Sequence, residues 1–184
     1  MSYFPVRIHM YKSIFLSVLF TFSLIGCQND SSDPYSLRTK ASKAQRQFQN
    51  DLYVLVVSEH PEVKEVLSIS RDLQIAYTQR SDMRYHFLCN NHPDRIHPET
   101  YDDILNFEWT KDDEKALSSN SDEYSNLIKK VEALNTKNQC HPDWPKARQL
   151  FQNKFNNDKR FHKLQDDLNT IMTEIDEELK KKRN

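Results

Sequence analysis

Glycine is almost missing from this chain: Gly26 stands alone among 184 residues, against an average usage of about 7%. Glycine supplies the positive φ of primed hairpin turns and lets backbone approach a phosphate closely. The sequence accordingly contains no G-x-x-x-x-G-K, G-x-G-x-x-G or G-x-S-x-G. That excludes the P-loop, dinucleotide-binding and nucleophile-elbow classes. Helices tolerate glycine scarcity and sheets do so poorly, so the expected fold is all-α. An excess of one charge is missing too. The 26 Lys and Arg residues balance 27 Asp and Glu, leaving no basic footprint for nucleic acid, and no nucleic-acid partner is expected. What is present argues against disorder. Ten Phe, eight Tyr and two Trp are more than a disordered chain carries, and the length suits one domain with appendages.

Long hydrophobic runs are also missing, with one exception at residues 14–25, IFLSVLFTFSLI. Arg7 and Lys12 are the only formal charges before it. Twelve residues fall short of the about 20 that span a bilayer and fit the apolar core of a secretory signal peptide. The run ends Leu24-Ile25-Gly26-Cys27, which resembles the lipobox of bacterial lipoproteins: a hydrophobic residue, two permissive positions with a small one last, then cysteine. The resemblance implies that Cys27 receives a diacylglycerol and that residues 1–26 are a signal peptide cut away before it. Gly26 is then the small residue beside the scissile bond. Two or three acyl chains, palmitate among them, meet the demand of stable anchoring for more than one lipid. By the same resemblance Gln28 implies the outer membrane. Met10 already opens a complete signal, so the start is open between Met1 and Met10, with residues 1–9 an upstream extension in the second case.

Residues 27–35 read as a lipidated tether, polar and without periodicity, and residues 36–184 as a helical domain of about five helices. The first is expected over Ser36–Ser58, where Leu37, Ala41, Phe48, Leu52 and Val56 keep helical spacing. A second starts at Pro61 and runs to Leu88, a short one is opened by Pro98, and another, capped by Ser121, ends at Gln139. The last is a long amphipathic C-terminal helix. It carries Leu150, Phe151 and Phe155, then Phe161, Leu164, Leu168, Ile171, Ile175 and Leu179. Its end sets Asp176, Glu177 and Glu178 four residues before Lys180, Lys181 and Lys182, a pattern for ion pairs on a solvated helix end rather than a contact for anionic lipid.

Export would place Cys89 and Cys140 in an oxidising compartment, where they are expected to form a disulfide. Closing a loop of about 50 residues would stabilise the domain by roughly 4 kcal/mol. The competing chemistry is a metal held by some of His86, Cys89, His92, His97, Cys140 and His141. No paired C-x-x-C supports it, so no metal ligand and no cofactor are assigned. His92-Pro93-Asp94 resembles the His-Pro-Asp loop of J-domain co-chaperones, but the tripeptide recurs at His141-Pro142-Asp143, where both copies suit a helix stop. Glu59 with His60, and Asp102 with Asp103, are the conceivable acid–base pairs, and no catalytic residue is assigned. Tyr85, Phe87, Tyr101, Phe107, Trp109 and Trp144 are expected to pack around the disulfide, or to form a partner-binding patch.

The expected protein is therefore a membrane-anchored envelope lipoprotein with a non-enzymatic binding or structural role toward another envelope protein, with inhibitor or immunity-type proteins as one form. The competing reading is a helical envelope hydrolase or metal-binding protein.

Overall fold

The computed structural model describes residues 33–153 and 157–182. The expected signal peptide, Cys27, most of the expected tether and Phe155 lie outside the described residues. Among the described residues the chain is all-helical, with seven α-helices and no strand. These are α1 (Pro34–Glu59), α2 (Lys64–Asn91), α3 (Tyr101–Leu105), α4 (Lys111–Asn120), α5 (Asp122–Gln139), α6 (Trp144–Asn153) and α7 (Lys159–Lys181). Short 3-10 turns occupy Pro61–Val63 and Pro93–Arg95.

Local chemistry sets the boundaries. Asp33 caps α1 by accepting from the Tyr35 amide at 3.2 Å, with Pro34 at the first helical position. The helix thus starts two residues before the expected Ser36. It stops at His60, since the residue ahead of Pro61 is steered out of the helical region. Two reciprocal capping boxes, Thr100 with Asp103 and Thr110 with Asp113, start α3 and α4. Ser121 ends α4 and caps α5 through the Tyr124 amide at 3.1 Å. The expected long C-terminal helix is two: α6 ends at Asn153, and Asp158 starts α7 by accepting from Arg160 N at 2.8 Å.

Helices α1 and α2 form a long antiparallel hairpin, with α7 packed along α1 and α5 along α2. Both outer helices run antiparallel to their neighbours. Leu127 and Val131 of α5 pack with Leu73 and Ala76 of α2. At the other side, Ile175 and Leu179 of α7 join Leu37 and Ala41 of α1, with Tyr101, Ile104 and Leu105 of the α3 segment. Around the hairpin turn, Val56, Val63, Val66, Leu67 and Ala147 form a separate core, covered by Trp144, Leu150, Phe151 and Phe161. Each fully buried Val, Leu or Ile contributes about 1.5–3 kcal/mol, and these clusters hold the outer helices on the hairpin.

The acids near the end of α7 do not pair with the lysines four residues on. Glu178 binds Lys40 of α1 at 2.6 Å, joined by Glu174 at 3.1 Å, while Asp176 accepts from the Tyr101 amide at 2.6 Å. Tertiary partners win over the local spacing. No helix among the described residues is long and apolar enough to cross a membrane.

Candidate functional site

Buried polar groups line the interface between the hairpin helices, from its open end toward its middle. Arg38, Ser42 and Gln45 of α1 and Thr78 of α2 are all at most 1% exposed. The Arg38 guanidinium donates from Nε to Asp82 Oδ1 at 2.6 Å and from Nη1 to the Ile104 carbonyl at 2.9 Å. It therefore ties α1 to α2 and to α3 at once. The Ser42 hydroxyl donates to the same Asp82 oxygen at 2.5 Å. Burial pushes the Asp82 carboxyl up, against the lowering effect of Arg38 and Ser42. Gln45 Nε2 donates to the Tyr101 hydroxyl, whose pKa burial pushes up to about 12. Arg38 also faces the rings of Tyr85 at 5.8 Å and Phe107 at 6.0 Å.

A second network joins α2 to α4 and α5. Glu114 accepts from Arg84 Nη2 at 2.5 Å, from the Trp109 indole at 2.5 Å and from the Tyr124 hydroxyl at 2.9 Å. Burial opposes its ionisation, but these three donors outweigh it and its pKa is lowered. Arg84 stacks 5.0 Å over Trp109 and donates to Tyr124 at 2.6 Å. Nearby, Arg95 holds Asp113 by two bonds of 3.1 and 3.0 Å. Those bonds, against burial and with help from Thr110, bring Asp113 down to about 2.

Two concavities are formed by the described residues. One, of about 130 Å³, is lined by Tyr85, Arg95, Ile96, His97, Asn106 and Phe107, among others. Arg95 is spent there on Asp113. The other is a groove of about 80 Å³ between α1, α2 and α6, lined by Leu52, Tyr53, Leu67, Arg71, Trp144 and Phe151, among others. Arg71 sits 4.3 Å over the Tyr53 ring, and Trp144 donates its indole N–H to the Asn138 carbonyl. Tyr, Trp and Arg are the side chains enriched at protein-binding hot spots.

The expected disulfide does not exist: Cys89 and Cys140 are both free. Antiparallel packing explains it. Tyr124 at the start of α5 meets Arg84 late in α2, and His141, just past α5, lies 3.9 Å from Glu65 at the start of α2. Cys140 and Cys89 therefore sit near opposite ends of α2, about 36 Å apart along the axis at 1.5 Å per residue. A disulfide needs Cα atoms within about 7 Å. Cys89 is half-buried, and burial with the Asp33 charge pushes its thiol up to about 11. Cys140 is exposed.

The same geometry separates the histidines. His86 stacks on Tyr35 at 4.9 Å and burial lowers its pKa. His92 stacks on Phe87 at 6.1 Å, and His97 lines the larger cavity. His141, at the far end of α2, accepts from Asp143 N at 3.2 Å. Among the described residues no three His, Cys, Asp or Glu side chains come together as a metal-ligand set.

Residues of both conceivable acid–base pairs have other partners. Glu59 binds Arg160 at 2.6 Å while His60 turns to Glu62 at 3.1 Å. Asp103 closes the capping box of α3. The aromatic residues divide as well: Tyr85 and Phe87, late in α2, cluster with Phe107 and Trp109 from between α3 and α4, Tyr101 packs with α1 and α7, and Trp144 lies by the hairpin turn. Sequence reading passes over Arg38, Ser42 and Gln45, yet their steps of four and three run beside the apolar stripe of Leu37, Ala41 and Phe48. No family model matches the chain, and no curated protein or solved structure matches it.

Proposed function

We propose that this chain is a lipid-anchored, non-enzymatic binding protein of the bacterial envelope, held at the outer membrane through Cys27 and acting on another envelope protein. The lipobox-like Leu24-Ile25-Gly26-Cys27 supports the anchor. The observation that carries the binding role is the groove between α1, α2 and α6, with Tyr53, Arg71, Trp144 and Phe151 on its walls. It lies near the hairpin turn, roughly 30 Å along α1 from the first helical residue at 1.5 Å per residue. A chain fastened ahead of α1 presents this groove away from its attachment. Asp82, Asp113 and Glu114, by contrast, are engaged in caps and interhelical ties, the pattern of a scaffold that positions a surface. Inhibition of a hydrolase, as by an immunity-type protein, is one form such a role takes.

Photocrosslinking in intact cells tests the reading. A photoreactive residue at Gln49 or Ser70, both lining the groove, is expected to give one discrete protein adduct that Arg71→Glu abolishes. The same residue at Glu132, exposed on α5, is expected to give none. Absence of adducts at both groove positions, or identical adducts from Glu132, overturns the assignment.

A further inference from the structure

The start of α1 and the end of α7 lie at the same end of the hairpin. Leu37 and Ala41 share a buried cluster with Ile175 and Leu179, and Lys40 reaches both Glu174 and Glu178. Antiparallel packing then sets Lys180, Lys181 and Lys182 level with Pro34. All three lysines are exposed, and none forms an ion pair among the described residues. The acids best placed to neutralise them are occupied, Glu174 and Glu178 by Lys40 and Asp176 by the Tyr101 amide. Of the acids on that turn, exposed Glu177 remains.

We infer that Lys180, Lys181 and Lys182 form a second membrane contact, on the phosphate-bearing headgroups of an anionic lipid surface, beside the lipid at Cys27. The inference rests on the anchor proposed above. Six residues lead from Cys27 to Asp33, which span at most about 20 Å even when fully extended. The tether therefore lets the lysine-bearing end reach the leaflet, where charge attraction acts over a Debye length of about 8 Å. The cationic last turn also stands at a helix C-terminus, where its charge is favoured. Each lysine beside an anionic surface strengthens association about fivefold, and three together on the order of a hundredfold. For a protein already held by acyl chains the consequence is orientation: this end is pinned to the bilayer and the groove at the hairpin turn is directed outward.

Amine-reactive footprinting read by mass spectrometry tests this on the lipidated full-length mature protein in vesicles. In phosphatidylglycerol–phosphatidylcholine vesicles, labelling of Lys180, Lys181 and Lys182 is expected to fall at least fivefold relative to phosphatidylcholine alone. It should recover at 1 M salt, where the Debye length is about 3 Å. Lys129 and Lys130, exposed on α5, should label equally throughout. Equal labelling of the three lysines in both vesicles overturns the contact, and so does protection by inorganic phosphate in phosphatidylcholine vesicles. The intact mass of the same sample reports the Cys27 lipid separately. Reactive lysines on a lipidated protein refute the contact alone, whereas a protein without lipid mass refutes the anchor and the contact with it.

Discussion

Arg38→Met probes the polar seam most sharply, because methionine keeps much of the apolar stem while deleting the guanidinium. Arg38 is 1% exposed and makes the 2.6 Å bond to Asp82 and the 2.9 Å bond to the Ile104 carbonyl. Its loss leaves the Asp82 carboxylate largely buried, with the Ser42 hydroxyl as its remaining short bond. Removing one partner of a buried pair costs about 3–5 kcal/mol. That is a large share of the about 5–15 kcal/mol that holds a typical domain together. At roughly 2–4 °C per kcal/mol, Tm should drop by about 10 °C.

The double variant Arg38→Met/Asp82→Leu removes both charges and should recover most of the loss. The deficit of the single variant also depends on pH. Burial already raises Asp82 in the folded state, and without Arg38 it rises further, so the folded form binds more protons than the unfolded one. Stability of Arg38→Met relative to the wild type should therefore fall as pH rises from about 4 toward 7. Urea unfolding followed by circular dichroism across this range measures both effects. A single-variant loss under about 1 kcal/mol, or a double variant no more stable than the single one, refutes the assignment of this pair as the tie between α1, α2 and α3.

Three further outcomes follow from the same structure. In the native protein Cys140 should react rapidly with a thiol reagent and Cys89 only upon unfolding or at strongly alkaline pH, given its thiol near 11. A linked Cys89–Cys140 peptide in a non-reducing map would contradict this. Asp113→Asn should lose about 1–2 kcal/mol at neutral pH, through a weakened cap and the lost Arg95 pair. Because the folded pKa of Asp113 is depressed to about 2, that difference should be full above about pH 4 and vanish as pH falls through 2. Equal deficits at pH 2 and 7 would rule out the ion pair as its source. Ile175→Ala, at a fully buried position between α7, α1 and α3, should cost about 2–5 kcal/mol. A loss below about 1 kcal/mol in denaturant melts would mean α7 is not seated on α1 as described.

Glycine scarcity and stripes such as Leu37-Ala41-Phe48 made the helical class legible, since a 3.6-residue period survives in sequence whatever the helix packs against. The cap at Ser121 was equally plain. Other breaks were not. Phe155 and Phe161 continue an apolar pattern across residues 154–158, although Asp158 there caps a new helix. Thr110-x-x-Asp113 is a capping box closed by aspartate in place of the usual Glu or Gln, so α4 carries a weak start signal, and the matching Asp103 stands in sequence only beside Asp102 as a conceivable pair. Pairing between helices is the larger gap. Periodicity shows that a face is buried but not which neighbour buries it or in which direction the two run. That direction decides whether Cys89 and Cys140 meet, and the antiparallel seat of α5 on α2 keeps them apart. Arg38 was hidden for a related reason: its partners Asp82 and Ile104 lie 44 and 66 residues away, and a lone arginine beside an apolar stripe reads as solvent-facing.

The intact mass of the protein extracted from cell membranes bears most directly on the central claim. A polypeptide that begins at Cys27 and carries a thioether-linked diacylglycerol is the predicted species. A chain that retains residues ahead of Cys27, or one whose Cys27 sulfur is unmodified, contradicts the account.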